Sequence, residues 1–226
     1  MPYRRSVNVD NKPSAARKER GFHAAVLAGG KGKRLGVDKT VLKINGESVL
    51  GRIIGVLKDI FPLIYLVTQD NNRAPEAVVD GMVKVVGDLL PGKGPLGGIY
   101  TALEYSSKPY VFVMACDMPY PNPGLIRLLL SRAPGWEAVV PRRGPYIEPL
   151  FAVYSRETRE RIRKKLEGGR LKIHEVLDEL RVRYVEEEEM AELDPGFLSF
   201  FNINTPQDLE AAQGPMGARS RPHAAK

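Results

Sequence analysis

The sequence predicts a single α/β domain built on a doubly wound, mostly parallel sheet with helices on both faces. Three observations carry that expectation. Short, continuously apolar runs alternate with amphipathic stretches of helical spacing, the pattern of parallel strands buried on both faces. One run ends in a glycine-rich basic loop and a later one in an aspartate, as ligand-facing strand ends do in open α/β sheets. The length of 226 residues, 43% hydrophobic and 27% charged, suits one large domain with appendages.

The elements follow in order. Phe22–Ala28 (FHAAVLA) reads as a buried strand with a glycine-rich turn after it. Ser48–Ile60 repeats apolar residues at helical spacing until Pro62. Leu63–Thr68 is strand-like, a short helix is expected near Pro75–Asp80, Met82–Val86 is another strand and Leu96–Tyr105 another helix. Tyr110–Cys116 (YVFVMAC) is the most strand-like run. Asn122–Arg132 reads as a helix with Asn122 as N-cap and Pro123 at its first position. Beyond Trp136, strands at Ala138–Pro141 and Pro149–Tyr154 flank a turn around Arg142–Pro145. Helices at Arg156–Glu167 and Ile173–Leu180 lead to a strand at Val182–Val185, and the acidic run Glu186–Glu189 reads as a solvated surface.

Charge and composition exclude several classes of function. The net charge is +7. Residues 1–20 hold six Lys/Arg against two acids, residues 214–226 hold three against none, and residues 21–213 balance at 25 against 25. The excess therefore sits in two tails poor in apolar residues, expected to be disordered, and gives a nucleic-acid-binding face on the domain no support. No apolar run approaches the ~20 residues that cross a bilayer. The basic N-terminus lacks the apolar stretch of a secretory signal. A lone Cys116 allows no internal disulfide and no cysteine-based zinc site, which fits a cytoplasmic location. His23, His174 and His223 are scattered and suggest no metal cluster.

Chemistry is expected where strands end. Leu27-Ala28-Gly29-Gly30-Lys31-Gly32-Lys33-Arg34-Leu35-Gly36, with Asp38-Lys39 beyond, places four glycines and several cations after the first strand. Bare backbone with free φ lets successive N–H groups converge on an anion. A surface turn would explain the glycines alone; the density of glycine and cation favours phosphate binding. The dinucleotide fingerprint fails because Gly36 follows Gly30 and Gly32 one residue too late, and Gly87–Gly94 fails as a P-loop because Gly94 stands where a hydroxyl must hold Mg²⁺. Asp117, directly after YVFVMAC, faces the ligand crevice as a candidate Mg²⁺ ligand. Cys116 reads as a small buried residue, with no histidine placed to activate it. Gly92-Lys93-Gly94-Pro95-Leu96-Gly97-Gly98 either lets a helix N-terminus approach a ligand or is a plain loop with a Pro-initiated helix. In Phe201–Leu209, Asn204 or Thr205 would cap a helix beginning at Pro206.

Taken in order, LAGGKGKRLG with Asp38-Lys39, GPLGG, ACDMP and FNINTPQDL resemble the molybdenum cofactor guanylyltransferases, nucleotidyltransferases with a Rossmann-like α/β fold. The resemblance spans residues 22–212. The glycine loop and the aspartate are shared with many sugar-nucleotide and cytidylyl transferases, whereas GPLGG with NINTPQDL marks this branch. The resemblance implies GTP, Mg²⁺ and molybdopterin as reactants. It implies Leu27, Ala28, Gly29 and Gly30 in contact with the nucleotide, Arg34 and Lys39 on its phosphates, and Asp88 as a further nucleotide contact. Asp117 would be the metal ligand, with Asn202 and Asn204 near the metal and the molybdopterin. Arg34, Lys39 and Asp117 are then the catalytic groups. Thr68 departs from the asparagine expected at the end of the second strand. Proteins that deliver molybdopterin or receive the product would be partners. Rival expectations are CMP transfer to molybdopterin, nucleotidyl transfer to a sugar phosphate, a nucleotide-binding regulator without turnover, and nucleic-acid binding through the tails.

Overall fold

The computed structural model describes residues 18–28, 41–69 and 80–214. β1 (Phe22–Leu27) alternates perfectly: Ala24 and Val26 enter one core, Ala25 and Leu27 the other. Both faces are apolar, so the strand lies between two helical layers. A two-residue strand, β2 (Lys43–Ile44), pairs antiparallel with β3 (Glu47–Ser48) through Asn45 and Gly46, at φ 50° and 82°. Asn-Gly is the residue pair that such a tight hairpin demands. The hairpin ends on Ser48, whose Oγ accepts from the Gly51 N–H at 3.2 Å and caps α1 (Val49–Lys58).

β4 (Ile64–Thr68) and β5 (Val83–Gly87) follow, then α2 (Gly94–Tyr105), β6 (Tyr110–Ala115) and α3 (Pro123–Arg132). The Asn122 side chain accepts from the Gly124 and Leu125 N–H groups, as its position before Pro123 predicts. β7 (Ala138–Arg143) turns at Gly144, φ 53°, into β8 (Tyr146–Ile147), and β9 (Phe151–Ser155) returns to the sheet. A 3₁₀ turn over Arg156–Thr158 opens α4 (Arg159–Glu167). α5 (Ile173–Leu177), β10 (Val182–Val185), α6 (Glu187–Met190) and α7 (Pro206–Gln213) complete the described chain.

The strand order is β10-β7-β9-β6-β1-β4-β5, with β8 paired to β7. Along this order all neighbours are parallel except around β9, which runs antiparallel to both β6 and β7; β8 is antiparallel to β7 as well. The chain builds outward from β1 to β5 and then crosses to β6 on the other side of β1. That reversal opens a crevice at the carboxyl ends of β1 and β6. One core, with Phe61 stacked on Phe112 and Phe151 edge-on to it, packs α1 and α3 against the sheet; the second packs α2, α4 and α5.

The acidic run at 186–189 is not a plain solvated surface. Glu186 and Glu189 form a capping box at the start of α6. Arg142 holds Glu186 at 2.5 Å, and Arg183 and Arg132 hold Glu189 at 2.9 and 3.3 Å. Three arginines from other elements hold Glu186 and Glu189, and local sequence gives no sign of them; Glu187 and Glu188 are exposed, as the run suggests. Of the helix expected near Pro75–Asp80, only Asp80 lies within the described residues.

Lys18–Arg20, assigned to the N-terminal tail by composition, are held by the domain: the Glu19 N–H donates to the Ile60 carbonyl at 2.8 Å and its carboxylate meets Arg127 at 3.3 Å. A cut that spares Glu19 is therefore the informative one. Removing residues 1–17 and 215–226 is expected to leave the thermal midpoint nearly unchanged, whereas loss of soluble folding would refute the boundaries.

His23 on β1 is 4% exposed, with Nδ1 3.0 Å from the Ser106 Oγ and its ring edge-on to Tyr65. Burial, with Lys108 and Lys84 adding to it, lowers its pKa to about 4. Between that value and the unfolded value near 6.5 the unfolded chain binds the extra proton, so stability present above pH 6.5 is lost as pH falls toward 4. His23→Gln should flatten that part of the pH–stability curve. An unaltered slope would assign the loss to other groups.

Candidate active site

The strand ends are tied to one another across the crevice. The Asp88 N–H donates to the Thr68 carbonyl at 2.8 Å, the Ala28 N–H to Val67 at 2.8 Å and the Cys116 N–H to Leu27 at 3.2 Å. Asp88, Thr68, Ala28 and Asp117 therefore stand in a row along one edge of the sheet. Leu27 is 8% exposed, with its side chain in the core beside α2, so any contact it makes with a nucleotide is through its backbone. Gly29, Gly30, Arg34 and Lys39 lie outside the described residues.

Asp88 organises the turn that leads into α2. Its Oδ1 accepts from the Leu90 N–H and the Thr101 hydroxyl, both at 3.0 Å. The two glycines of GPLGG serve close packing here. A Cβ on Gly98 would stand 3.1 Å from the methyl carbons of Leu27, and one on Gly97 would stand 3.1 Å from the Leu90 carbonyl. With no side chains at these positions, the first turns of α2 press against the ends of β1 and β5. The positive end of a helix dipole is thereby set at the crevice edge.

Asp117 is 9% exposed at the end of β6. Its carbonyl accepts from the Ile203 N–H at 2.9 Å, which anchors Asn202 and Asn204 on either side of that contact. The rest of the motif explains how the segment holds still. Thr205 and Asp208 form a capping box at α7, and Asp208 also accepts from the Asn204 N–H at 3.0 Å. Those N–H groups hold the Asp208 carboxyl below its usual range. The Asn202 side chain donates to the Phe200 carbonyl at 2.9 Å, and the Tyr120 hydroxyl to Ala212 at 2.7 Å. Thr205, rather than Asn204, is the cap.

The donor set suits a hard cation. Among the described residues no three His, Cys, Asp or Glu side chains cluster as a metal cage. Asp117 and the neighbouring amides offer oxygen, and Mg²⁺ takes one or two carboxylates while filling its other positions with water and substrate phosphates. Cys116, next to it, is a buried small residue.

Sequence reading missed two charged residues at this edge, Arg143 at the end of β7 and Glu148 before β9. Both lie in segments correctly read as strand and turn, but only the strand order shows which edge they reach. Burial raises the Glu148 carboxyl, and the charge of Arg143 partly offsets the rise. A groove of about 720 Å³ lies at the opposite edge, bordered by Tyr110, Trp136, Glu137 and Arg181. It sits at the amino ends of β6 and β7, away from the crevice, and none of the predicted site residues lines it. No helix among the described residues is long and apolar enough to cross a membrane.

Comparison with known proteins agrees with this geometry. The chain is 36% identical over 188 residues to a probable molybdenum cofactor guanylyltransferase of Pelotomaculum thermopropionicum, covering 83% of this chain and 90% of that one. It is 38% identical to a probable molybdenum cofactor guanylyltransferase of Thermococcus gammatolerans, covering 82% and 95%. The crystal structure of molybdopterin-guanine dinucleotide biosynthesis protein A from Archaeoglobus fulgidus superposes with a TM-score of 0.76 at 29% identity, covering 87% of this chain and 99% of that one. The sequence model of the MobA-like NTP transferase domain matches residues 24–185, the span that runs from β1 through Asp117 to the end of β10, and the chain belongs to that family of nucleotidyltransferases.

Proposed function

We propose that this protein transfers GMP from GTP to the terminal phosphate of molybdopterin cofactor, forming the guanine dinucleotide cofactor and pyrophosphate. An oxygen of the acceptor phosphate attacks the α-phosphorus, the bond to the β-phosphate oxygen breaks, and pyrophosphate leaves. The observation that carries the reading is the Ile203–Asp117 hydrogen bond, which joins the aspartate of the crevice to the Asn202–Asn204 segment. The names of the guanylyltransferase relatives support the choice of nucleotide and acceptor.

The attacking phosphate is already a nucleophile, so the chain needs no strong general base. Its work is alignment and neutralisation of charge. The backbone of Leu27–Gly30 contacts the nucleotide, Arg34 and Lys39 take its phosphates, and Asp88 holds the turn beside them. Asp117 would hold Mg²⁺, and the ion would supply charge neutralisation at the phosphates. Asn202 and Asn204 take the molybdopterin. The substrates and the ion are those of a cytoplasmic enzyme. Pyrophosphate release should require GTP, molybdopterin and Mg²⁺ together; release that is independent of molybdopterin would argue for a different acceptor.

A further inference from the structure

The edge of the sheet that carries Asp117 also carries a cation not assigned to the nucleotide or to the metal. β7 and β6 are both antiparallel to β9 and hence parallel to each other. Arg143 at the end of β7 therefore emerges on the same side as Asp117, two strand positions away, about 10 Å. Its guanidinium carbon lies 4.2 Å from the ring centroid of Phe197, at the start of the segment that runs to Asn202. The Glu148 carboxyl, on the connection into β9, feels the Arg143 charge. The Glu148 N–H is held by the Pro141 carbonyl at 3.0 Å, and Leu150 accepts from the Ala115 N–H at 3.0 Å, which sets residues 148–150 beside the end of β6. The guanidinium thus lies against the segment that leads to Asn202, while the backbone of its strand is joined to residues 148–150 beside the end of β6.

Its hydrogen bonding is incomplete. Among the described residues Nε of Arg143 is buried without a hydrogen-bond partner, whereas the adjacent Arg142 is held by Glu186 through Nε at 3.1 Å and Nη2 at 2.5 Å. A buried donor left unmet costs about 1–3 kcal/mol, so a chain that keeps one generally has a use for it. Stacking on Phe197 fixes the plane of the fork, and its terminal nitrogens offer the N–H donors that a phosphate oxygen accepts from.

We propose that Arg143 binds the phosphate group of the acceptor and so determines which second substrate the crevice takes. The proposal deepens the guanylyl-transfer reading and rests on it for the identity of that acceptor. The glycine loop side of β1 then serves the nucleotide, and the β7 side serves the acceptor, with Asp117 between them.

The test is steady-state kinetics of the full chain with Mg²⁺, varying GTP and molybdopterin separately. Arg143→Gln is expected to raise KM for molybdopterin roughly tenfold to a hundredfold, the loss typical of a charged hydrogen bond, while KM for GTP and kcat stay within about twofold of wild type. Arg143→Lys, which keeps the charge and a stem over Phe197, should recover part of the loss and carries the test if the glutamine variant does not fold. An unchanged KM for molybdopterin, or an equal rise for both substrates, would overturn the assignment. If the wild-type protein transfers nothing to molybdopterin, the acceptor reading fails separately; the same comparison with sugar 1-phosphates then decides the role of Arg143, and turnover with no phosphate-bearing acceptor sinks both.

Discussion

Asp117→Asn is expected to lower GMP transfer by at least ~10²-fold, the usual size for losing a key electrostatic element of a transfer site. The substitution keeps the shape of a side chain that is 9% exposed and removes the charge that, in the proposed mechanism, would hold Mg²⁺. Folding should survive, because the hydrogen bond from the Ile203 N–H to Asp117 is accepted by the backbone carbonyl, which asparagine retains. Circular dichroism and the thermal midpoint check that point independently of activity. The loss should appear in kcat, and raised Mg²⁺ should restore part of it by mass action on a weakened site. A variant with near wild-type turnover at ordinary Mg²⁺ would remove Asp117 from the metal site.

GTP is expected to exceed CTP and ATP in kcat/KM by roughly tenfold to a hundredfold. Guanine presents an O6 acceptor with N1–H and N2 donors, and a pocket built to meet them leaves buried groups unpaired when adenine enters, at about 1–3 kcal/mol each. The chain reads Leu27-Ala28-Gly29-Gly30, and a missing Cβ at Gly29 lets the backbone lie closer to a purine. Leu27 agrees with a readout through the backbone, since its side chain is turned into the core beside Gly98. Gly29→Ala should therefore weaken GTP use more than CTP use. An equal loss for both would mean the glycine serves only the turn.

The fold was legible where local signals and burial coincide. The runs FHAAVL and YVFVMA became the two central strands because Ala24, Val26, Phe112 and Met114 enter one core while Ala25, Leu27, Val111 and Val113 enter the opposite one. Asn122 and Thr205 cap the helices that their Asn-Pro and Thr-Pro contexts suggest. Long-range pairing was not legible. Nothing in FAVYS indicates that it inserts antiparallel between β6 and β7, yet that insertion carries Glu148 to the end of β6. The β2–β3 hairpin is too short for a periodicity window, although its Asn45-Gly46 turn is a local signal that went unused. The charge run at 186–189 misled because its partners Arg132, Arg142 and Arg183 are distant or on other elements.

The site was legible in part for the same reason. Asp117 follows from its place after a central strand. The role of GPLGG does not, because it depends on how closely Gly98 meets Leu27 across two elements. Arg143 depends on strand order and on a ring supplied by Phe197, neither of which leaves a mark in its neighbourhood of the sequence.

The most direct test of guanylyl transfer is a competition. The protein is incubated with Mg²⁺, molybdopterin and equal concentrations of the four NTPs, and the dinucleotide formed is identified by mass. The account predicts the guanine dinucleotide of molybdopterin as the dominant product, with stoichiometric pyrophosphate; a predominant cytosine dinucleotide, or no dinucleotide at all, would contradict it.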